Sequence, residues 1–461
     1  MTAPAAAIAS ADSPPMEPAA SPPQEPRRRP PRHSLAIVCM VLFMLSASHV
    51  LLYDYIGIRA IVQIVFGGAV IVLLGPTVLR QVYAGRYSLF ALLSLSYIVV
   101  DFIWRRNIKD IVGYAVAFFL IMAASGFSTF RLNYFARIVA VVLAAFSLAG
   151  FLQVLLVMMN PSLVPLIMKG FDAGYYGKFH FTSPVEWLGG ADSATVLFGI
   201  PFPRFVSYLE QASTVPAYFL LPAAIVLISG YRNKRLAYLP IVFSILSLGG
   251  SVTFCLGSSV IMFFIGRRLP RAILTIMPVV MLVAYAIGAT LVLRAAHIDD
   301  TLFQIDQSPA AATGEGGGAE QYSLNRANSG FVRAVLFVKA IHAVRDSPVF
   351  GMSDSKDEIF SSLALTSGMR AGLLGVTLAL LAFTMLFRRL GRAIKLATHD
   401  RHVQYGLCLL YAAAAQSVVY NDYGFSKFWG LTMFGVAVAM LQRMPNLGAT
   451  TVAVASEPAP A

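Results

Sequence analysis

An arginine set apart from every other charge on its helix is the feature of this chain that most invites chemistry. The stretch 331–345 has helical periodicity. At about 100° per residue, Lys339, His342 and Arg345 fall roughly 240°, 180° and 120° from Arg333. Those three share one face, and Arg333 is alone on the opposite, apolar face. A guanidinium on a buried stripe needs an anion or a partner carboxylate. Arg204 opens a second such segment, running through Tyr208, Glu210 and Gln211 to an apolar stretch that begins near 213. An arginine at membrane level either snorkels or grips a lipid-linked phosphate through paired N–H donors. Downstream of Arg333, the turn Ser347-Pro348-Val349-Phe350-Gly351 is followed by Asp354, Lys356, Asp357 and Glu358. Asp357 and Glu358 are candidate general bases for a hydroxyl that must lose its proton. Acids after a turn also suit a helix N-terminus, and a short helix is expected over 358–366, leading through Gly368 and Arg370 into the next apolar run. The segment 160–212 carries ten aromatics, among them Tyr175, Tyr176 and Trp187. Such rings stack on sugar faces or form a membrane-interface belt.

The elements that must hold these residues are set by composition. Of 461 residues, 57% are apolar and only 12% charged. A soluble chain of this size would carry about 25% charged residues. With a positive mean hydropathy, too little polar surface remains to cover a water-soluble globule. The fold class expected is an all-α polytopic membrane protein. Twelve apolar runs approach the length that crosses a hydrocarbon core of roughly 30 Å. They lie near 35–53, 57–79, 87–103, 111–127, 138–158, 213–230, 236–249, 252–266, 272–293, 369–387, 403–420 and 426–441. The pair 236–249 and 252–266 reads as two spans or one broken one, with Gly249-Gly250-Ser251 favouring two. Residues 1–33 read as a disordered Pro-rich cytoplasmic tail, 34–443 as the transmembrane domain, and 444–461 as a second disordered cytoplasmic tail. Two connections, 160–212 and 294–368, are too long for turns, and function is expected there.

Charge asymmetry orients the spans. With both termini inside, 20 of the 35 basic residues fall on the inner side, from the leader arginines through Arg80, Arg131, Lys234, Arg267, Arg388 and Arg401 to Arg443. The short outer connections hold only Arg59, Arg105, Arg106, Lys109 and Lys427. This is a positive-inside pattern. The net charge of +13 is mostly that orientation signal, so no nucleic-acid partner is expected. Charged residues sit at span ends (Asp101, Arg294, Arg370) rather than at midplane, which argues against ion-coupled transport. The amides Gln63, Gln153 and Gln416 lie inside spans and are expected to bond between helices. Cys39, Cys255 and Cys408 have no metal-like spacing, and no metal or cofactor is expected.

From Arg333 to Gly375 the chain resembles the O-antigen ligase/polymerase superfamily of bacterial envelope proteins. The matching features are Arg333, Pro348 with Gly351 three residues on, Asp357, and the Gly-rich approach from Gly368 to Gly375. Arg204 to Ala217 is similar to a second family element. Where the ligases carry a loop histidine this chain has Asp357 or Glu358, which leans toward a repeat-unit polymerase. Ser353 replaces a usual glycine, and a Ser-Arg pair is absent near Gly249-Gly250-Ser251. The resemblance implies a GT-C-like architecture in the bacterial inner membrane, with the long loops periplasmic. It implies metal-independent glycosyl transfer from a polyprenyl-pyrophosphate donor, forming exopolysaccharide or O-antigen. Arg204 and Arg333, with Arg326 in reserve, would hold the pyrophosphate. Asp357, Glu358 or Glu210 would take the acceptor proton, and Tyr175, Tyr176 and Trp187 would stack on glycan. Implied partners are the lipid-linked oligosaccharide and membrane lipid, with a flippase and a chain-length regulator as further candidates. The alternatives are a ligase that transfers glycan to a lipid or protein acceptor, and a non-enzymatic polysaccharide transporter or assembly partner.

Overall fold

The computed structural model describes residues 31–47, 59–159, 194–197, 200–203, 215–247, 249–295, 329–351, 362–397, 400–419 and 428–444. The described chain is helical, apart from one antiparallel hairpin of β1 (Ala194–Leu197) and β2 (Ile200–Pro203), in which Ala194 pairs with Pro203. In order the helices are α1 (Pro31–Ala47), α2 (Arg59–Tyr83), α3 (Leu89–Val100), α4 (Ile108–Ser125) and α5 (Thr129–Met159). After the hairpin come α6 (Leu221–Ile228), α7 (Tyr238–Ser244), α8 (Gly250–Ile265) and α9 (Arg271–Ala295). The last four are α10 (Ser329–Asp346), α11 (Leu363–Leu396), α12 (Arg401–Val419) and α13 (Phe428–Arg443). A π-helical turn extends α3 through Asp101–Arg105, and another, Pro216–Leu220, leads into α6.

Where its residues are described, each apolar run read from the sequence falls on a helix or on consecutive helical segments. Among the described residues, four helices are long and apolar enough to cross a membrane: 61–83, 129–152, 271–291 and 363–396. The exterior is what a bilayer solvates. Ile64, Val65 and Val72 of α2 and Val280, Val283 and Ile287 of α9 point outward, uncovered by protein. The interior is closed by helices that are apolar all round, as α6 is, with all eight residues buried. Close approach there comes from small residues: Gly406 of α12 sits against Leu227 and Ala224, where a Cβ would collide with α6.

The two-or-one question over 236–266 is answered by contacts. Tyr238, early in the first segment, stacks on Tyr405 of α12, and Phe263, late in the second, packs edge-on against the same ring. The chain therefore doubles back near Gly249, and the region is a helical hairpin. Polar contacts fasten this end of the bundle. Arg131 reaches Thr77 at 3.3 Å, the Gly230 amide donates to Asn133 Oδ1 at 2.9 Å, and Arg267 donates to Gln404 Oε1 at 2.8 Å. Lys234 pairs with Asp400 at 2.6 Å. Burial acts to raise the Asp400 carboxyl, but the Lys234 bond and the amides of Val403 and His402 outweigh it and hold the group below its ordinary value. Arg131, Lys234, Arg267, Arg401 and Arg443 lie in the first or last turn of a helix or just beyond it.

Two in-span amides behave as their chemistry requires. Gln63 donates to Ser46 O at 3.0 Å, joining α2 to α1, and Gln416 accepts from the Cys255 thiol at 2.6 Å, joining α12 to α8. The Gln153 side chain lies outside the described residues.

Candidate functional site

The opposite end of the bundle, reached along α3, is where the long connections leave. There α11 is not one helix. Ser362 caps it by accepting from the Leu365 amide, and it runs to Arg370. It breaks at Ala371 (φ −142°, ψ 26°) and Gly372 (φ +57°, ψ −150°), then continues to Leu396. The short helix expected over 358–366 is thus displaced: the described helix starts at Leu363 and includes Arg370, which the sequence reading placed at the start of a span. The displacement has a physical reason. A capping serine and the glycine-permitted break set these boundaries, and hydropathy reports neither.

Helix α10 packs on α9 and α11, and its buried stripe is Phe337, Ala340 and Ala343. Arg333 occupies the register position four residues before Phe337, on the same stripe, as the helical wheel anticipates. Its side chain lies outside the described residues, as does that of Lys339, whereas His342 and Arg345 are exposed. The turn after α10 is locked into the break in α11. The Leu373 amide donates to Pro348 O at 2.7 Å, and the Gly351 amide closes the turn on Ser347 O at 3.0 Å. Gly351 (φ +71°) faces the carbonyls of Met369 and Gly368, and Gly372 faces those of Pro348 and Val349, so neither position has room for a Cβ. Gly368 lies against Val344 of α10, which lets the two helices approach.

Behind the break is a buried ionic cluster. Arg105 pairs with Asp101 at 3.0 Å, with side chains 2% and 0% exposed. Arg370 pairs with Asp110 at 2.9 Å, at 8% and 14% exposure. Arg105 also donates to the carbonyls of Met369 and Arg370, each at 2.7 Å. Asn107 Nδ2 donates to Asp110 at 3.0 Å, and the Arg370 guanidinium lies 5.9 Å from the centroid of the Tyr114 ring. Tyr97 and Ser367 share a short hydroxyl–hydroxyl bond at 2.5 Å one turn deeper. Below them the interface is aromatic, with Phe90 stacked on Phe434 at 5.5 Å and Phe383 edge-on to both. At the rim, Trp104 stacks on Phe350 with centroids 4.9 Å apart.

Arg204, Glu210, Arg326, Asp357, Glu358, Tyr175, Tyr176 and Trp187 lie outside the described residues. Of the sequence-derived candidates, the structure therefore places only the backbone of Arg333. It adds Asp101, Arg105, Asp110 and Arg370, of which sequence reading had left Asp101 and Arg370 as span-end charges and Arg105 in a short outer connection, without singling out Asp110. One signal was available: two acids and two arginines flanking apolar runs that would end at the same side. Their pairing across 260 residues had no local signature.

The fold and this cluster define a largely helical protein with the apolar exterior of a membrane protein and a polar, charge-balanced centre at one end. No protein-family model matches the chain, and no curated protein or solved structure is significantly similar to it.

Proposed function

We propose that this protein is a membrane-embedded polysaccharide polymerase, extending a glycan at the outer face of a bacterial inner membrane from a polyprenyl-pyrophosphate-linked repeat unit. The observation that carries the reading is the interlocking of Arg333–Gly375. In the described parts of the segment that bears the family resemblance, α10, the Pro348–Gly351 turn and the broken α11 are joined by backbone bonds at the loop end. Its glycines are where no Cβ fits. In this reading all twelve apolar helical stretches span the bilayer with both termini inside, and the arginine-rich end is cytoplasmic.

In the transfer, the acceptor hydroxyl oxygen bonds to the anomeric carbon as the bond from that carbon to the pyrophosphate oxygen breaks. Asp357, Glu358 or Glu210 receives the proton, and the electron pair leaves with the lipid pyrophosphate. Pyrophosphate is already a good leaving group, so the protein's work is positioning and charge neutralisation. Arg204 and Arg333 supply the latter, with Arg326 in reserve. Tyr175, Tyr176 and Trp187 offer faces for the sugars.

Gene deletion followed by analysis of lipid-linked glycans tests the reading. A polymerase deletion accumulates single repeat units and loses long chains. Long chains stranded on the lipid carrier would instead identify a ligase. Repeat units trapped on the inner face would identify a transporter. Unchanged chain length and attachment would remove all three. At residue level, Arg333→Lys keeps the charge and removes the guanidinium fork, so full activity in that variant would rule out paired phosphate donation.

A further inference from the structure

Leu373, just past the break in α11, takes part in an exchange of hydrogen bonds. In an uninterrupted α-helix its N–H would donate to the Met369 carbonyl, four residues back. Here it donates to Pro348 O in the turn after α10. The carbonyl it abandons is taken by Arg105, whose Nη2 also reaches the next carbonyl, that of Arg370. A side chain from the end of α3 thus stands where a backbone amide would stand. Without it, two part-buried carbonyls would lack this donor, and away from water an unmade hydrogen bond is expensive. Asp101 holds the guanidinium through Nη1, itself fully buried. The planar fork suits this double duty, one nitrogen on a carboxylate and the other across two carbonyls.

We infer that Arg105, held by Asp101, is a positioning residue for the loop-end site. It stabilises the break in α11, and the break is what accepts the Pro348 turn and fixes α10, with Arg333, against the bundle. When Arg105 is lost, α11 recovers its own Leu373–Met369 bond and releases the turn. The functional half of this inference rests on the polymerase reading; the structural half does not.

The Trp104–Phe350 stack supplies a reporter, since one ring sits beside Arg105 and the other in the docked turn. A Trp104→Cys/Phe350→Cys double variant, treated in isolated membranes with a short bifunctional thiol reagent, forms a crosslink when the turn is docked. The native thiols Cys39, Cys255 and Cys408 are buried. Adding Arg105→Gln is expected to lower the crosslink yield roughly tenfold, equivalent to about 1.4 kcal/mol. Arg105→Lys should restore part of it, because an ammonium can still donate to a carbonyl. In cells, Arg105→Gln in the otherwise native chain should shorten the glycan in step with the lost crosslink. Protein amount and thermal midpoint are followed alongside, and Asp101→Asn gives a second route should Arg105→Gln fail to accumulate. An unchanged crosslink in Arg105→Gln, or in Asp101→Asn where that variant replaces it, overturns the inference. So does a lost crosslink with glycan of native length. Normal glycan in the deletion strain overturns the polymerase reading instead, and the crosslink still decides whether Arg105 positions the turn.

Discussion

Removing one partner of the Arg370–Asp110 pair should damage the protein far more than removing both. An exposed ion pair contributes about 0–1 kcal/mol. A buried one behaves differently, because deleting one charge strands the other, at a cost of about 3–5 kcal/mol, whereas an apolar replacement of both is often neutral. Burial decides between these regimes, and at 8% and 14% exposure this pair belongs to the second. Each stranded group keeps some help. Asp110 retains the Asn107 amide, and Arg370 retains the Tyr114 ring, an interaction of about 0.5–2 kcal/mol. Both single variants, Arg370→Met and Asp110→Leu, are therefore expected near the lower limit, about 3 kcal/mol. Arg370→Met/Asp110→Leu should lie within about 1 kcal/mol of the parent. Reversible unfolding of the purified protein in mixed micelles would give the four free energies of the cycle. The reasoning is refuted if the single variants each lose less than about 1 kcal/mol, or if the double variant loses their sum.

Gly372→Ala forces a non-glycine residue into a conformation nearly exclusive to glycine and drives its Cβ at Pro348 O; strain alone should cost about 1–3 kcal/mol of unfolding free energy. Gly68→Ala, with open space around it, should instead gain about 0.5–1 kcal/mol, and equal losses at both sites would contradict the structure. Asp400 predicts a pH dependence. Its folded-state carboxyl is held below the ordinary value, so its contribution is present above about pH 4 and fades as pH falls further. Its side chain is 47% exposed, which keeps that contribution under about 1 kcal/mol. The gap in Tm between parent and Asp400→Asn seen at pH 7 should narrow as pH is lowered below about 4, and a constant gap would reject the assignment. Orientation is open to labelling: in intact cells whose outer membrane has been permeabilised, an impermeant maleimide should modify Val349→Cys but not Tyr83→Cys, both well exposed. The reverse pattern would invert the topology.

The helices themselves were legible because hydropathy is a one-dimensional property: a run of apolar residues must be satisfied within its own backbone in lipid, whatever it packs against. The helix over 331–345 was legible from 3.6-residue periodicity in the same way, and α10 buries Phe337, Ala340 and Ala343 while His342 and Arg345 are exposed. The roles of Gln63 and Gln416 could be anticipated because a buried amide seeks a partner, although Ser46 and Cys255 could not be named. The break in α11 was hidden, since Ala371-Gly372 sits in an apolar run that reads as continuous and Gly is common in membrane helices.

Sequence by itself determined the apolar character of this protein and the number of its apolar runs, because each is a sum over local composition. Only the tertiary structure decided that 236–266 is a hairpin, that Pro348 takes the amide of Leu373, and that Asp101, Arg105, Asp110 and Arg370 form one buried cluster. Those outcomes depend on which helices meet at one end of the bundle. Ionic and hydrogen-bonding partners in a low-dielectric interior are chosen by proximity in space, and proximity across 260 residues is a property of packing.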